Sequence, residues 1–148
     1  MTKILISIVG PTAIGKTALS IKLANHFKTE IISADSRQFF KEMHIGTAAP
    51  TPLELNQATH HFIHHKSIED EYNVGAFEKE ALQKLKQLYA NHDVVIMVGG
   101  SGLYVDAVLK GLQDYLKESG LEVEYTVHNA QANMGTATQI AQQMVRSE

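Results

Sequence analysis

The run ILISIV at residues 4–9 passes directly into GPTAIGKTALS at residues 10–20, and no other stretch constrains the fold as tightly. An apolar run of this length, followed at once by glycine, reads as a parallel strand buried on both faces. The glycine loop fits G-x-x-x-x-G-K-[ST], in which backbone N–H groups turn inward around phosphate oxygens. Beyond it, Leu19, Leu23 and Phe27 recur every four residues, one face of a helix whose positive end points back at the loop. Strand, loop and helix in this order make a phosphate site from Gly10, Thr12, Ala13, Gly15, Lys16 and Thr17. Lys16 supplies a point charge to the outer phosphate, and the Thr17 hydroxyl is the expected ligand for Mg2+.

The rest of the chain supplies more strands of the same kind. A second is expected at residues 30–33, ending in ADSRQFF, and a third at residues 94–98, VVIMV, ending in GGSGLY. Between them Pro50 and Pro52 mark a loop, and Phe77, Ala81, Leu85 and Leu88 give a crossover helix its buried face. Parallel sheets gather functional loops at the carboxyl ends of their strands, so the phosphate loop, Asp35 and the Gly99–Gly100 turn are expected at one edge. The fold class is therefore α/β, a P-loop-type parallel sheet flanked by helices. A chain of 148 residues, 44% hydrophobic, is enough for one core.

After Leu112 the pattern changes. Residues 121–128 alternate apolar and polar, the mark of a strand with one wet face at a sheet edge or in a separate packing unit. Ala137, Ile140, Ala141, Met144 and Val145 then follow helical spacing. We therefore divide the chain into a core, residues 1–112, and an added strand–helix tail, residues 113–148. Residues 1–112 hold 11 Lys+Arg and 11 Asp+Glu, and the tail holds 2 and 5, so the net charge of -3 lies in the tail. Neither part has the basic surface of a protein that grips a nucleic-acid backbone. Cys is absent, in keeping with a cytoplasmic setting, and no stretch approaches the roughly 20 apolar residues that span a bilayer.

Two local patterns require a choice. In HHFIHH, residues 60–65, a helix would put His60 with His64 and His61 with His65 at metal-ligand spacing. Phenylalanine and isoleucine interrupt the cluster in a strand-like way, and surface or loop histidines are the preferred reading. The third strand ends in two glycines, where a nucleotide kinase or hydrolase usually places a magnesium-binding Asp. The glycines are expected where backbone approaches a ligand closely. Asp35 is then the best candidate for a general base or metal partner, while Arg37 reads as an exposed arginine beside it.

GPTAIGKT, SADSRQFFKEMHIGTAAP, HHFI, YNVGAF and VGGSGLYVDAVLKGL, taken in order, resemble the N-terminal part of the tRNA dimethylallyltransferase (tRNA isopentenyltransferase) family. The resemblance covers residues 1–112. It implies transfer of a dimethylallyl group from dimethylallyl diphosphate to the N6 amine of an adenine beside a tRNA anticodon, with Mg2+ as cofactor. By the same resemblance Asp35 is the catalytic base, Lys16 and Ser101 are further catalytic residues, with Lys16 neutralising the leaving diphosphate, and Asp35, Ser36 and Gln38 hold the adenine of the tRNA. The loop then holds an isoprenoid diphosphate and not ATP. Ala49 stands where the family usually has Lys, and Ser101 where it usually has Thr. Family members run roughly twice this length, and residues 113–148 do not follow their continuation. A small ATP-dependent kinase and a non-catalytic diphosphate-binding protein are the competing readings.

Overall fold

The computed structural model describes residues 3–9, 15–43, 49–99, 102–119 and 123–129. In chain order these form β1 (Lys3–Val9), α1 (Lys16–Phe27), β2 (Ile31–Ser33), α2 (Pro52–Gln57), β3 (His60–His61), α3 (Val74–Tyr89), β4 (Val94–Gly99), α4 (Gly102–Ser119) and β5 (Val123–Asn129). Short 3-10 turns lie at Ser36–Gln38 and Lys41–Met43. The strands form one sheet in the order β3-β2-β4-β1-β5, and every pairing is parallel.

Successive side chains of a strand point to opposite faces, and here both faces are covered. Ile4, Ile6 and Ile8 of β1, with Ile31 and Ile96, pack against Leu19, Leu23 and Ala24 of α1. Leu5, Ile32, Val95 and Met97 face the other way, against Phe77, Ala81 and Leu85 of α3 and Val105, Val108 and Leu112 of α4. Burial on both sides is why β1 and β4 read as apolar runs. Phe77, Ala81, Leu85 and Leu88 are the buried residues of α3, as their spacing required.

Several boundaries and environments differ from the sequence reading. The second strand starts at Ile31, one residue later than expected, although the Glu30 carbonyl still accepts from the Ile96 N–H at 3.3 Å; the Glu30 carboxylate is engaged by His61 at 2.7 Å and His92 at 3.4 Å. The third strand runs one residue further, to Gly99. Phe27 is only half-buried. The histidine segment is not helical, in agreement with the strand-like reading: His60–His61 form a strand, and Phe62 and His64 have φ of 70° and 50°. His64 and His65 lie in the loop after β3, within the preferred reading of surface or loop histidines, but the four are half-buried: His60 Nδ1 meets the Ala58 carbonyl at 3.0 Å, and His65 Nε2 lies 3.4 Å from the Tyr72 hydroxyl.

The strand expected at residues 121–128 is β5, which pairs with β1 from Lys3 opposite Val123 to Val9 opposite Asn129. It is an edge strand of the same sheet. The helix expected around Ala137, Ile140, Ala141, Met144 and Val145 lies outside the described residues. Among the described residues no helix is long and apolar enough to cross a membrane.

Candidate active site

The site lies at the carboxyl edge of the sheet, where the connections of β1 and β4 leave in opposite directions: β1 leads through α1 to β2, and β4 leads through α4 to β5. Such a divergence leaves a crevice between neighbouring strands. A cavity of about 230 Å³ opens there, lined by Gly15, Lys16 and Thr17 from the start of α1, by Ser33, Asp35 and Gln38 from the end of β2, and by Val98 and Gly99 of β4.

Local geometry fixes each of these groups. Gly15 caps α1 with φ of 85°, a left-handed conformation that a Cβ would strain. Lys16 Nζ donates to the Gly99 carbonyl at 3.3 Å, which ties the phosphate loop's helix to the end of β4. Asp35 is buried, 7% exposed, and its Oδ1 accepts from the Arg37 backbone N–H at 3.0 Å. The Gln38 N–H donates to the Asp35 carbonyl at 3.0 Å, closing a 3-10 turn that carries both side chains. Burial pulls the Lys16 ammonium below the usual lysine range; Asp35 opposes this and Arg37 adds to it. Arg37 is thus exposed, as expected, and its charge is also felt inside the site.

Of the residues singled out from sequence, the structure brings Gly15, Lys16, Thr17, Asp35 and Gln38 to one cavity. Ser36 is half-buried on the same turn. Gly10, Thr12, Ala13 and Ser101 lie outside the described residues, as does Gly100. Gly99 has a role beyond the one expected of it. A Cβ there would lie 2.8 Å from the Ala34 carbonyl oxygen and 3.1 Å from Val105, so the protein's own backbone requires the glycine.

Sequence reasoning missed Ser33, Pro50, Glu54, His60 and Ile63, which also line the cavity. His60 gave no usable signal in the sequence, because β3 is only two residues long and is defined by its non-local pairing with β2. Burial pulls the His60 imidazole below the usual histidine range, and the Ala58 carbonyl, which only accepts, places the proton on Nδ1.

The family model described as IPP transferase matches residues 38–146. The chain belongs to the IPP transferase family. The match passes Leu112 and takes in most of the segment set apart above. Among relatives, the tRNA dimethylallyltransferase of Christiangramia forsetii is 66% identical over 117 residues, 79% of this chain and 39% of that protein. That of Cytophaga hutchinsonii is 53% identical over 112 residues, 76% of this chain and 37% of its own length. The chain thus spans about two fifths of the curated relatives it matches. The tRNA isopentenylpyrophosphate transferase of Staphylococcus epidermidis superposes with a TM-score of 0.68 at 36% identity, over 82% of this chain and 43% of that one. A de novo designed protein with the P-loop NTPase fold, 17% identical, gives a TM-score of 0.50 and shares the fold alone.

Proposed function

We propose that this IPP transferase core takes dimethylallyl diphosphate and transfers its allyl group to the N6 amine of an anticodon-adjacent adenine in tRNA. The observation that carries the reading is the meeting of a cation, Lys16, and a buried carboxylate, Asp35, in one cavity beside a helix start. Cleavage of the allylic C–O bond leaves its electron pair on pyrophosphate, whose growing charge needs neutralising. Lys16 and the N–H groups at the start of α1 are suited to this. The exocyclic amine forms the new C–N bond and must shed a proton, for which Asp35 is the acceptor on the cavity wall. By family resemblance Ser36 and Gln38 hold the base and Ser101 assists.

Magnesium fits the donor set. Thr17 and Asp35 offer hard oxygens on the cavity wall, and among the described residues no group of three His, Cys, Asp or Glu forms a cage of its own. That suits a cation bound through one or two protein oxygens and the substrate's phosphates. When bound, Mg2+ would supply further charge neutralisation to the leaving diphosphate. Residues 1–112 are the catalytic core of this reading, residues 113–148 an added tail, and its setting is cytoplasmic.

Calorimetry with dimethylallyl diphosphate, pyrophosphate and ATP, each with magnesium, tests the reading. Both diphosphates are expected to bind and ATP to bind less well. Lys16→Ala removes a charge-assisted contact worth roughly 1.5–3 kcal/mol, about a 10- to 150-fold loss of pyrophosphate affinity. Unchanged affinity in that variant would show that the phosphate site lies elsewhere.

A further inference from the structure

We infer that Arg37 is a phosphate-binding residue at the mouth of the cavity, which grips the phosphodiester beside the adenine while the base itself enters. The inference rests on the proposed function and deepens it. Arg37 sits at the centre of the Ser36–Gln38 turn, directly after the buried Asp35. Its backbone N–H is spent on Asp35 Oδ1 at 3.0 Å, yet among the described residues its guanidinium has no ion-pair partner, although a carboxylate lies two positions away. Asp35 is 7% exposed and lines the cavity, whereas Arg37 is exposed, so one short turn sends its acid inward and its cation outward.

The charges at this corner leave a place for an anion. Lys16 feels Arg37 as well as Asp35, so the two cations stand within electrostatic reach of each other, and an anion beside them relieves their repulsion. The reaction brings two anionic groups, and space separates them. The diphosphate belongs at the start of α1, where Lys16 and Thr17 line a cavity of about 230 Å³; Arg37 is not among the described residues that line it. A nucleotide can put its base into such a cavity, but the chain that continues on both sides of that nucleotide stays at the mouth. A guanidinium suits that position, because it is always charged and meets two phosphate oxygens at once, which an ammonium does not.

The test uses the 148-residue chain at low salt, with saturating magnesium pyrophosphate to fill the phosphate loop. It is titrated with adenosine and with its 5′- and 3′-monophosphates, which stand for the phosphodiesters on either side of the adenine, while NMR follows the Arg37 Nε–H. One monophosphate is expected to bind about 10-fold more tightly than adenosine, the low end for a charge-assisted contact, and to move the Arg37 signal. Arg37→Ala should bring that nucleotide within about 2-fold of adenosine, and Arg37→Lys should keep part of the preference, since it keeps the charge but loses the paired contact. Lys79→Ala removes an equal charge from an exposed position on α3 and should leave the preference as it is, which separates a contact from net charge. A native chain that holds neither monophosphate better than adenosine overturns the inference, as does a preference that survives in Arg37→Ala. An Arg37→Ala chain that loses pyrophosphate affinity and keeps the nucleotide preference also overturns it, because the guanidinium then serves the diphosphate. If pyrophosphate itself does not bind, the proposed function fails; if it binds and only the Arg37 dependence is missing, this inference alone fails.

Discussion

Ser7 of β1 and Ser33 of β2 are both fully buried, yet only one hydroxyl is used. Ser33 Oγ bonds Gln38, whereas Ser7 Oγ is buried without a hydrogen-bond partner among the described residues. An unsatisfied buried hydroxyl costs about 1–3 kcal/mol, so Ser7→Ala should leave stability unchanged or raise it by about 1 kcal/mol in urea unfolding. A clear loss would mean that Ser7 has a partner the native state depends on. Asp35 calls for a different substitution. Asp35→Asn keeps shape and removes basicity, and it leaves Lys16 to face the diphosphate. In a chimera joining residues 1–112 to the remainder of a full-length relative, turnover should fall about 100-fold or more, with pyrophosphate affinity retained. Near-normal turnover would exclude Asp35 as the base. Lys16, Thr17 and Asp35 were legible in the sequence because each sits at a fixed offset from a glycine or a strand end. Ser33 was not, because neither its place on the cavity wall nor its bond to a side chain five residues on is reported by any periodicity.

Between these residues and the sheet stand the elements that hold the Ser36–Gln38 turn. The loop after β3 is laced to it: His64 N–H donates to the Gln38 carbonyl at 2.7 Å, Lys66 N–H to Phe39 at 3.0 Å, and Lys41 N–H to Lys66 at 2.9 Å. Phe39 stacks on Phe77 of α3 at 4.8 Å and meets Tyr72 edge-on, while Tyr72 donates to Glu80 at 2.7 Å. The histidine segment is thus a strut for the turn. Its function was hidden in the sequence because β3 has only two residues and its partners are non-local, whereas α3 was legible from spacing alone. Two glycines show how differently elements tolerate a methyl group. At Gly99 a Cβ meets the Ala34 backbone, one residue before Asp35, which cannot yield without moving β2 or β4. At Gly111 in α4 it meets the flexible ends of Glu78 and Leu82 on α3. Gly111→Ala should therefore be close to neutral, the crowding offset by the roughly 0.5–1 kcal/mol that Ala gains over Gly inside a helix. Gly99→Ala should cost about 1–3 kcal/mol, the usual penalty of overpacking, and weaken pyrophosphate binding as well. Thermal unfolding of the two variants side by side checks the contrast, and equal melting temperatures would refute it.

For the molecule as a whole, pH and salt separate what holds the fold from what the surface attracts. Burial pulls both His60 and His65 below the usual histidine value of 6.5, so as pH falls through 6.5 the unfolded chain takes up protons that the folded chain refuses. Stability should decline over that window, and His60→Gln with His65→Gln should flatten the decline in melting temperature between about pH 8 and pH 5. Glu30 acts lower on the scale. Burial alone would raise its carboxyl, but His61 and His92 outweigh it and hold it below 4.5, so its contribution is present above 4.5 and is lost as pH falls through the folded value. Salt probes the outer surface. A protein contacting 6 to 10 phosphates loses about 10³–10⁵ in affinity between 50 and 200 mM salt, because each neutralised phosphate releases a counterion. Here the first 112 residues balance 11 positive against 11 negative side chains, and the chain as a whole carries -3. The 148-residue chain is therefore expected to bind small diphosphates but to hold an anticodon stem-loop weakly, with a shallow salt slope, and to prenylate it too slowly for multiple turnover. An open site also admits water to the allylic carbon, so slow hydrolysis of dimethylallyl diphosphate is the expected residual activity. The deciding measurement is turnover on the stem-loop together with a salt titration of its binding. Tight binding with a steep slope, or clear multiple turnover, would show that this core carries its own RNA-gripping surface despite its balanced charge.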